Sequence, residues 1–597
     1  MSSSSARHPK VGKLRPTQIV SQHGPGAIVD LPELSVVIAG IDEWKVKGSD
    51  RIIEPRLEAF LKASSLFRPP RPSPAAFGGV PAYVFPEWLV CPVGKCRLLA
   101  PKESFQWVGP PVGEFRCPRD DRHSGKTRVS AFPARFMTAC PKGHLDDFPW
   151  HRWVHVEDEG HCSGPLRLDD EGRSGSVNDL VVSCERCDAN RRMGGVFERG
   201  KLQDCSGRRP WLGPSDYEAA CGEDPRVVLR GASNAYFSVT ASALSIPPYS
   251  DPIQMAIAPY LDTLVKLSTV DRIEQAAELD LLGDLLLNYS PEELLAAARG
   301  EVTEIERLRP DEYRAFLDPP EPAQPPHEFE VRRIDTPSGT EAGKLATVRA
   351  ATRLREVRAL RGFTRIEAGI DVGDLADVAK LDIDVAPLGP KNVTWRPAVE
   401  LRGEGIFLSL DEQALNRWEE RPEIASRARE LSVKFDEHQA GRSDDATQWR
   451  PFPGMRYILL HTLAHALIRR LCLDAGYSSS ALRERIYSAS GDDPMAGLLI
   501  YTASSDSEGS LGGLVDQAKP DRFGAVLVEA LQDAQLCAQD PLCGADELSG
   551  AVGLNGAACH ACLLLAETSC EASNRFLDRA VLVETLGRFG RWYFRGA

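Results

Sequence analysis

Cys543, Ala558-Cys559-His560-Ala561-Cys562 and Cys570, spaced C-x15-C-x2-C-x7-C, form the stretch on which the reading of this chain turns. A two-residue turn brings two thiolates to one side of an ion, and further cysteines at loop distance complete the tetrahedron of a structural Zn²⁺ site. The expected ligands are Cys543, Cys559, Cys562 and Cys570, with Cys537 as an alternative to Cys543. Four thiolates leave no position for a reactive water, so this ion has a folding role.

Upstream, residues 88–230 hold nine of the 15 cysteines and little periodic sequence. Cys91, Cys96 and Cys117 offer three ligands, with His123 or Cys140 as a fourth. Cys140 and His144 form a C-x3-H pair, and Cys184-x2-Cys187 is a second knuckle followed by Cys205 and Cys221. Cys162 is either a ligand or a buried small side chain. The sequence leaves the pairing open, and two to three structural Zn²⁺ ions are expected for the whole chain.

The 597 residues carry a formal net charge of −14, which argues against a protein that coats nucleic acid but leaves room for a local basic groove. No apolar run reaches the roughly 18–20 residues that span a bilayer. The first residues lack the apolar core of a signal peptide, so the expectation is a cytoplasmic protein without membrane contact. Cysteines there stay reduced, which favours metal over disulfides.

The expected fold is mixed α/β and multidomain. Residues 1–87 read as an N-terminal arm and a small α/β segment, 88–230 as a loop-rich zinc-stapled region, and 231–326 as mostly helical, ending in a Pro-rich linker. Residues 327–597 read as an α/β C-terminal domain with the four-cysteine zinc knuckle. Ser290-Pro291-Glu292-Glu293 is a capped helix start. Within the last domain, helices are expected over 341–361, 411–437, 455–472 and 522–536. A hairpin turning at Arg402–Gly405 is expected over 396–409, and a strand over 497–501.

Other motifs weigh less. The arginines of the 341–361 segment, among them Arg349, Arg353 and Arg358, offer a track for a nucleic-acid backbone, or equally a solvated face or ion-pair network. His461-Thr-Leu-Ala-His465 places two histidines on one helical face. A zinc protease needs Glu after the first histidine, and Thr462 stands there, so packed helix histidines are the better reading. Were there an open metal site, Glu484 or Asp506 would be its nearest carboxylates. His123-Ser-Gly-Lys-Thr127 ends like a P-loop, but Asp120 replaces the required glycine. The Glu508–Leu514 loop reads as a tight connection between packed elements, although its amides could cradle a phosphate.

Several longer stretches carry a family resemblance. They are Leu14–Gln18, His23-Gly-Pro-Gly-Ala-Ile-Val-Asp-Leu-Pro32, Ala139-Cys-Pro-Lys-Gly-His-Leu-Asp-Asp-Phe-Pro-Trp150, Gly207–Leu212, Arg230–Phe237, Ser242–Pro248, His461–His465, Gly509–Gly513 and Ala558–Cys562. Together they resemble the DrmB component of DISARM-type bacterial anti-phage defence, from about residue 11 to the end. The resemblance implies a DrmA-type helicase partner, a part in recognising or unwinding invading DNA, and no catalytic residue in this chain. Where the family leads one to expect paired C-x2-C elements, this chain has Cys91-x4-Cys96, which leaves open whether that site is intact or uses His123. The expectation is thus a non-catalytic subunit that binds a DEAD/DEAH-type helicase. The alternatives are a zinc-dependent nuclease acting on unwound DNA, or a scaffold linking the helicase to a DNA methyltransferase.

Overall fold

The computed structural model describes residues 14–32, 34–71, 79–109, 113–123, 125, 128–156, 162–172, 176–219, 221–247, 252–257, 260–279, 281–299, 308–321, 328–337, 341–366, 385–440, 449, 451–502, 513–544, 553–566, 568–586 and 590–595. The arm before residue 14, Asp506 and most of the Glu508–Leu514 loop lie outside them.

The fold is mixed α/β, with its largest sheet in the C-terminal half. That sheet is built from β1 (Phe237–Leu244), β2 (Glu330–Ile334), β3 (Leu345–Thr364), β4 (Arg396–Leu410), β5 (Leu482–Ala489) and β6 (Met495–Thr502). The order is β1-β3-β4-β6-β5, these pairs all antiparallel, with β2 sharing the β3 edge further along; two short strands complete the eight, Leu66–Phe67 running parallel to the start of β4 and Arg51–Ile52 antiparallel to Leu66–Phe67.

Strand alternation sorts the side chains onto two faces. Leu482, Ile486, Leu498, Ile500, Ile406 and Leu408 join one core with helix α2 (Gly454–Ala475) and helix α3 (Pro520–Gln535). Tyr487, Leu499, Tyr501 and Phe407 join another with Tyr313 and Phe316, which lie on helix α1 (Leu308–Leu317). The apolar stripe of α2 and the strand of β6 fall where the sequence places them.

Two expectations are corrected. The segment read as an arginine helix over 341–361 is the 20-residue strand β3. It is hydrogen-bonded along both edges, to β1 and β2 on one side and β4 on the other. That pairing outweighs the modest helical preference of Arg and Leu, and the Thr and Val residues interspersed among them suit a strand. The hairpin over 396–409 is a single strand, β4. Gly403 and Gly405 are mid-strand residues where β6 crosses closely: a Cβ on Gly403 would stand 2.1 Å from the Thr502 carbonyl oxygen, and one on Gly405 would stand 2.8 Å from that of Ile500. The glycines permit close approach of backbone rather than a turn.

The middle of the chain is helical, from Pro252 to Arg299, around its own small core. Residues 88–230 contain short strands separated by long connections, including a six-stranded sheet that begins at Trp88–Val90 and ends at Asn190–Arg192. Arg365, just beyond β3, ties this region to the large sheet. Its guanidinium is fully buried and donates to the carbonyls of Gly26 (2.7 Å), Gly143 (2.8 Å) and Ala235 (2.5 Å). Burial pulls it down to about 9, so it stays charged at neutral pH. Phe363 packs edge-on to Trp211 and stacks on Tyr236. Four of the stretches that carry the family resemblance therefore meet at the end of β3.

Candidate metal centres

Among the described residues, four groups of Cys and His side chains converge in the N-terminal and C-terminal regions: Cys91, Cys96, Cys117 and His123; Cys140, His144, Cys205 and Cys221; His155, Cys162, Cys184 and Cys187; and Cys537, Cys543, Cys559 and Cys562. Within each, the donor atoms lie within 4.8 Å of one another. Two zinc ligands at about 2.3 Å from a tetrahedral ion are about 3.8 Å apart when both are sulfur, and about 3.5 Å when one is nitrogen. The observed edges match. They are Cys96–Cys117 at 3.7 Å, Cys140–Cys221 at 3.9 Å, Cys162–Cys184 at 3.8 Å, Cys543–Cys562 at 3.7 Å and Cys91–His123 at 3.5 Å. A disulfide requires about 2.05 Å, so these sulfurs are spaced as ligands around a centre, not as bonded pairs.

The surroundings suit metal ligands. His144 turns Nδ1 toward Cys140 (3.3 Å) and Cys221 (3.2 Å), while its Nε2 faces Glu218 at 3.1 Å. His155 donates from Nδ1 to the His151 carbonyl at 2.8 Å, which leaves the Nε2 lone pair for the cluster. A second partner of this kind fixes the tautomer and orientation of a ligating imidazole. Backbone amides of Arg186, Gly207 and Gln539 lie 3.4 Å from the sulfurs of Cys184, Cys205 and Cys537. The Cys205 thiol is drawn down, chiefly by its hydrogen bond from Cys140, whose own thiol is pushed up in turn, and then by His144. Cys184 is drawn down to about 6: burial opposes this, but the Arg186 and Cys187 amides and His155 outweigh it. The thiolate is the form that binds metal.

The topology explains these groupings. Pairing of Phe136–Ala139 with Arg226–Leu229 puts Ala139 opposite Arg226 and so brings Cys140 near Cys221. Cys184 and Cys187 go to His155 and Cys162, and not to Cys205 and Cys221. His155, at the end of the helix Trp150–Val154, was missed by sequence reasoning; its place seven residues before Cys162 was the available signal. At the C-terminus α3 delivers Cys537, which stands 3.4 Å from Cys559. Cys570 is corrected out of this knuckle. It faces His461 and Glu484, and together with His465 these form a fifth converging group, fully enclosed between α2 and β5.

Residues 463–563, which contain the Cys537 cluster, match the MrfA Zn-binding domain, and residues 15–237 match a domain of unknown function, DUF8724. Over 582 residues the chain is 32% identical to the DISARM protein DrmB of Bacillus paralicheniformis, covering 94% of this chain and 99% of that protein. The chain belongs to the DrmB family of DISARM proteins. In this DrmB-family chain the zinc-binding match and the Cys/His groups agree on zinc as the metal.

The arginines expected to meet nucleic acid are divided by the fold. Arg353 is exposed. Arg349 is half-buried, donates to the Leu317 carbonyl at 3.2 Å and lies opposite Arg333 of β2. Arg358 is half-buried and is bound to buried Glu356 at 2.8 Å. No helix of the described residues is long and apolar enough to cross a membrane.

Proposed function

We propose that this chain is a non-catalytic, cytoplasmic subunit of an anti-phage defence complex. It binds a DEAD/DEAH-type helicase partner of the DrmA kind and helps hold single-stranded or forked DNA. The observation that carries the reading is the closure of the Cys/His groups: each supplies four donors, which fills a tetrahedral ion and leaves no position for a reactive water. In this reading all four groups hold structural Zn²⁺, the Cys570 position in the knuckle being taken by Cys537. The metals fix loops into a rigid surface, and the chemistry belongs to the partner. Membership of the DrmB family supports the placement in a defence complex.

The nuclease alternative requires an accessible metal beside a carboxylate. The group that contains a carboxylate, around Glu484, is buried, with His461 and His465 at 0% exposure. That observation favours the accessory role. For DNA, Arg353, with Arg349 and Arg333 nearby on paired strands, forms the proposed contact, and Arg358 is withdrawn from it.

The test is co-expression with a DrmA-type helicase, size exclusion of the complex, and single-stranded DNA binding at low salt. Arg333→Glu with Arg353→Glu is expected to leave the complex intact and weaken DNA binding at least about tenfold, with a shallower salt dependence. A complex whose DNA affinity does not change makes the chain a scaffold, joining the helicase to a methyltransferase. No complex at all refutes the reading.

A further inference from the structure

We propose that His461, His465, Glu484 and Cys570 bind a further divalent transition-metal ion of the zinc class, separate from the four-cysteine knuckle. The four come from three elements: the histidines from one face of α2, Glu484 from β5, and Cys570 from the loop after the knuckle. Their donor atoms lie within 4.8 Å of one another. His461 Nε2 stands 3.0 Å from Glu484 Oε1 and 3.2 Å from Cys570 Sγ, and His465 Nε2 stands 3.4 Å from the same carboxylate oxygen. Around a tetrahedral ion, nitrogen and oxygen ligands at about 2.0–2.2 Å lie about 3.4 Å apart.

The polarity of the site suits a bound cation. His465 Nδ1 lies 2.9 Å from the Leu563 carbonyl, which only accepts, so Nδ1 carries a proton and a neutral ring turns its Nε2 lone pair inward. It meets a carboxylate oxygen, another acceptor, in a place that water does not reach. His461 Nδ1, His465 Nε2, Glu484 Oε2 and the Tyr457 hydroxyl are all buried without a hydrogen-bond partner. Such a set is costly unless a positive charge sits at its centre. The Asn574 amide lies 3.1 Å from Cys570 Sγ, and the Glu571 amide donates to Glu484 Oε1 at 3.1 Å, as amides do around anionic ligands. One thiolate and one carboxylate balance a divalent ion, and two imidazoles with one sulfur suit zinc better than magnesium or calcium.

The site also explains how α2 is attached to the knuckle. Leu563, whose carbonyl fixes His465, directly follows Cys562, and Arg469 on the same helix donates to the Ala561 carbonyl at 2.9 Å. An ion held by α2, β5 and Cys570 joins the zinc knuckle to the large sheet. Its role is structural, because all four ligand positions belong to the protein.

The experiment is diffraction from crystals of the full chain on both sides of the zinc absorption edge, with a fluorescence scan to identify other metals. An anomalous peak enclosed by His461, His465, Glu484 and Cys570 is expected, in addition to peaks at the Cys clusters. Peaks at the clusters with none at this position would overturn the proposal and leave an imidazolium–carboxylate network in its place. Metal counting in solution is the second readout. Glu484→Gln and His465→Ala are each expected to lose one ion per chain relative to the wild type; an unchanged count in a folded variant refutes the site. Where a variant does not fold, the map of the wild-type crystal decides.

Discussion

Arg365 offers the most direct test of how the N-terminal region is held to the large sheet. Its guanidinium reaches three carbonyls, those of Gly26, Gly143 and Ala235, from segments far apart in the sequence. Arg365→Met keeps most of the apolar stem and removes all three donors. Hydrogen bonds to a charged group contribute about 1.5–3 kcal/mol each, so the gross loss is about 5–9 kcal/mol. Part is returned, because the folded chain no longer buries a charge, and the net cost is about 3–5 kcal/mol. That is a large share of the roughly 5–15 kcal/mol that holds a typical domain together, so the N-terminal region becomes marginal. Arg365→Lys restores charge but cannot span three acceptors, and is expected to fall between the two. The assay is urea unfolding followed by tryptophan fluorescence, since Trp211 packs 5.1 Å from Phe363 beside the arginine. A cost below about 1 kcal/mol for Arg365→Met would refute the assignment of this residue as the tie, because three orphaned carbonyls cannot be that cheap.

Cys537→Ser is expected to release about one zinc per chain and to destabilise the C-terminal region, because binding free energy at such sites is folding free energy; an unchanged count would return Cys570 to the knuckle. Cys472→Ser, outside every converging group, should change neither metal content nor partner binding. Gly403→Val places a side chain where the Thr502 carbonyl already stands, so β4 and β6 must separate; insoluble or strongly destabilised protein is expected, and a near-neutral effect on the melting temperature would contradict the strand crossing. Arg358→Glu puts a second negative charge beside buried Glu356, which Arg483 and Arg485 still face, and should destabilise the fold by about 1.5–3 kcal/mol in the absence of any DNA. Arg353→Glu, on the exposed part of β3, should leave the melting temperature nearly unchanged.

What could be read from the sequence follows the range of the signal. Helix α2 was legible because its apolar residues repeat along its whole length, and β6 because a short apolar run needs no partner to be recognised. Strand β3 was not. Its arginines are spaced much as on a helical face, and only the pairing of β1, β2 and β4 along its edges decides the matter. Cysteine spacing announced a zinc-binding domain, which the match over residues 463–563 bears out, because thiols with two residues between them, and further cysteines at loop distance, suit a tetrahedral ion. It could not assign partners, since the Cys140–Cys221 approach is created by two strands that are far apart in the chain and pair Ala139 with Arg226. The same limit kept the group around Glu484 from being assembled, although Glu484 was named as a candidate carboxylate for the histidine pair. The histidine pair was visible, and so was Cys570, but a carboxylate on β5 joins them only after the sheet has formed. A helix histidine pair is therefore read better from what lies across from it than from the residue that follows it. In this chain Thr462, in the place of a protease glutamate, donates instead to the Ile458 carbonyl and accepts from the Asp578 amide. It thereby helps to lock the C-terminal segment onto α2, and the residue that stands where a catalytic base would be supplies a structural contact.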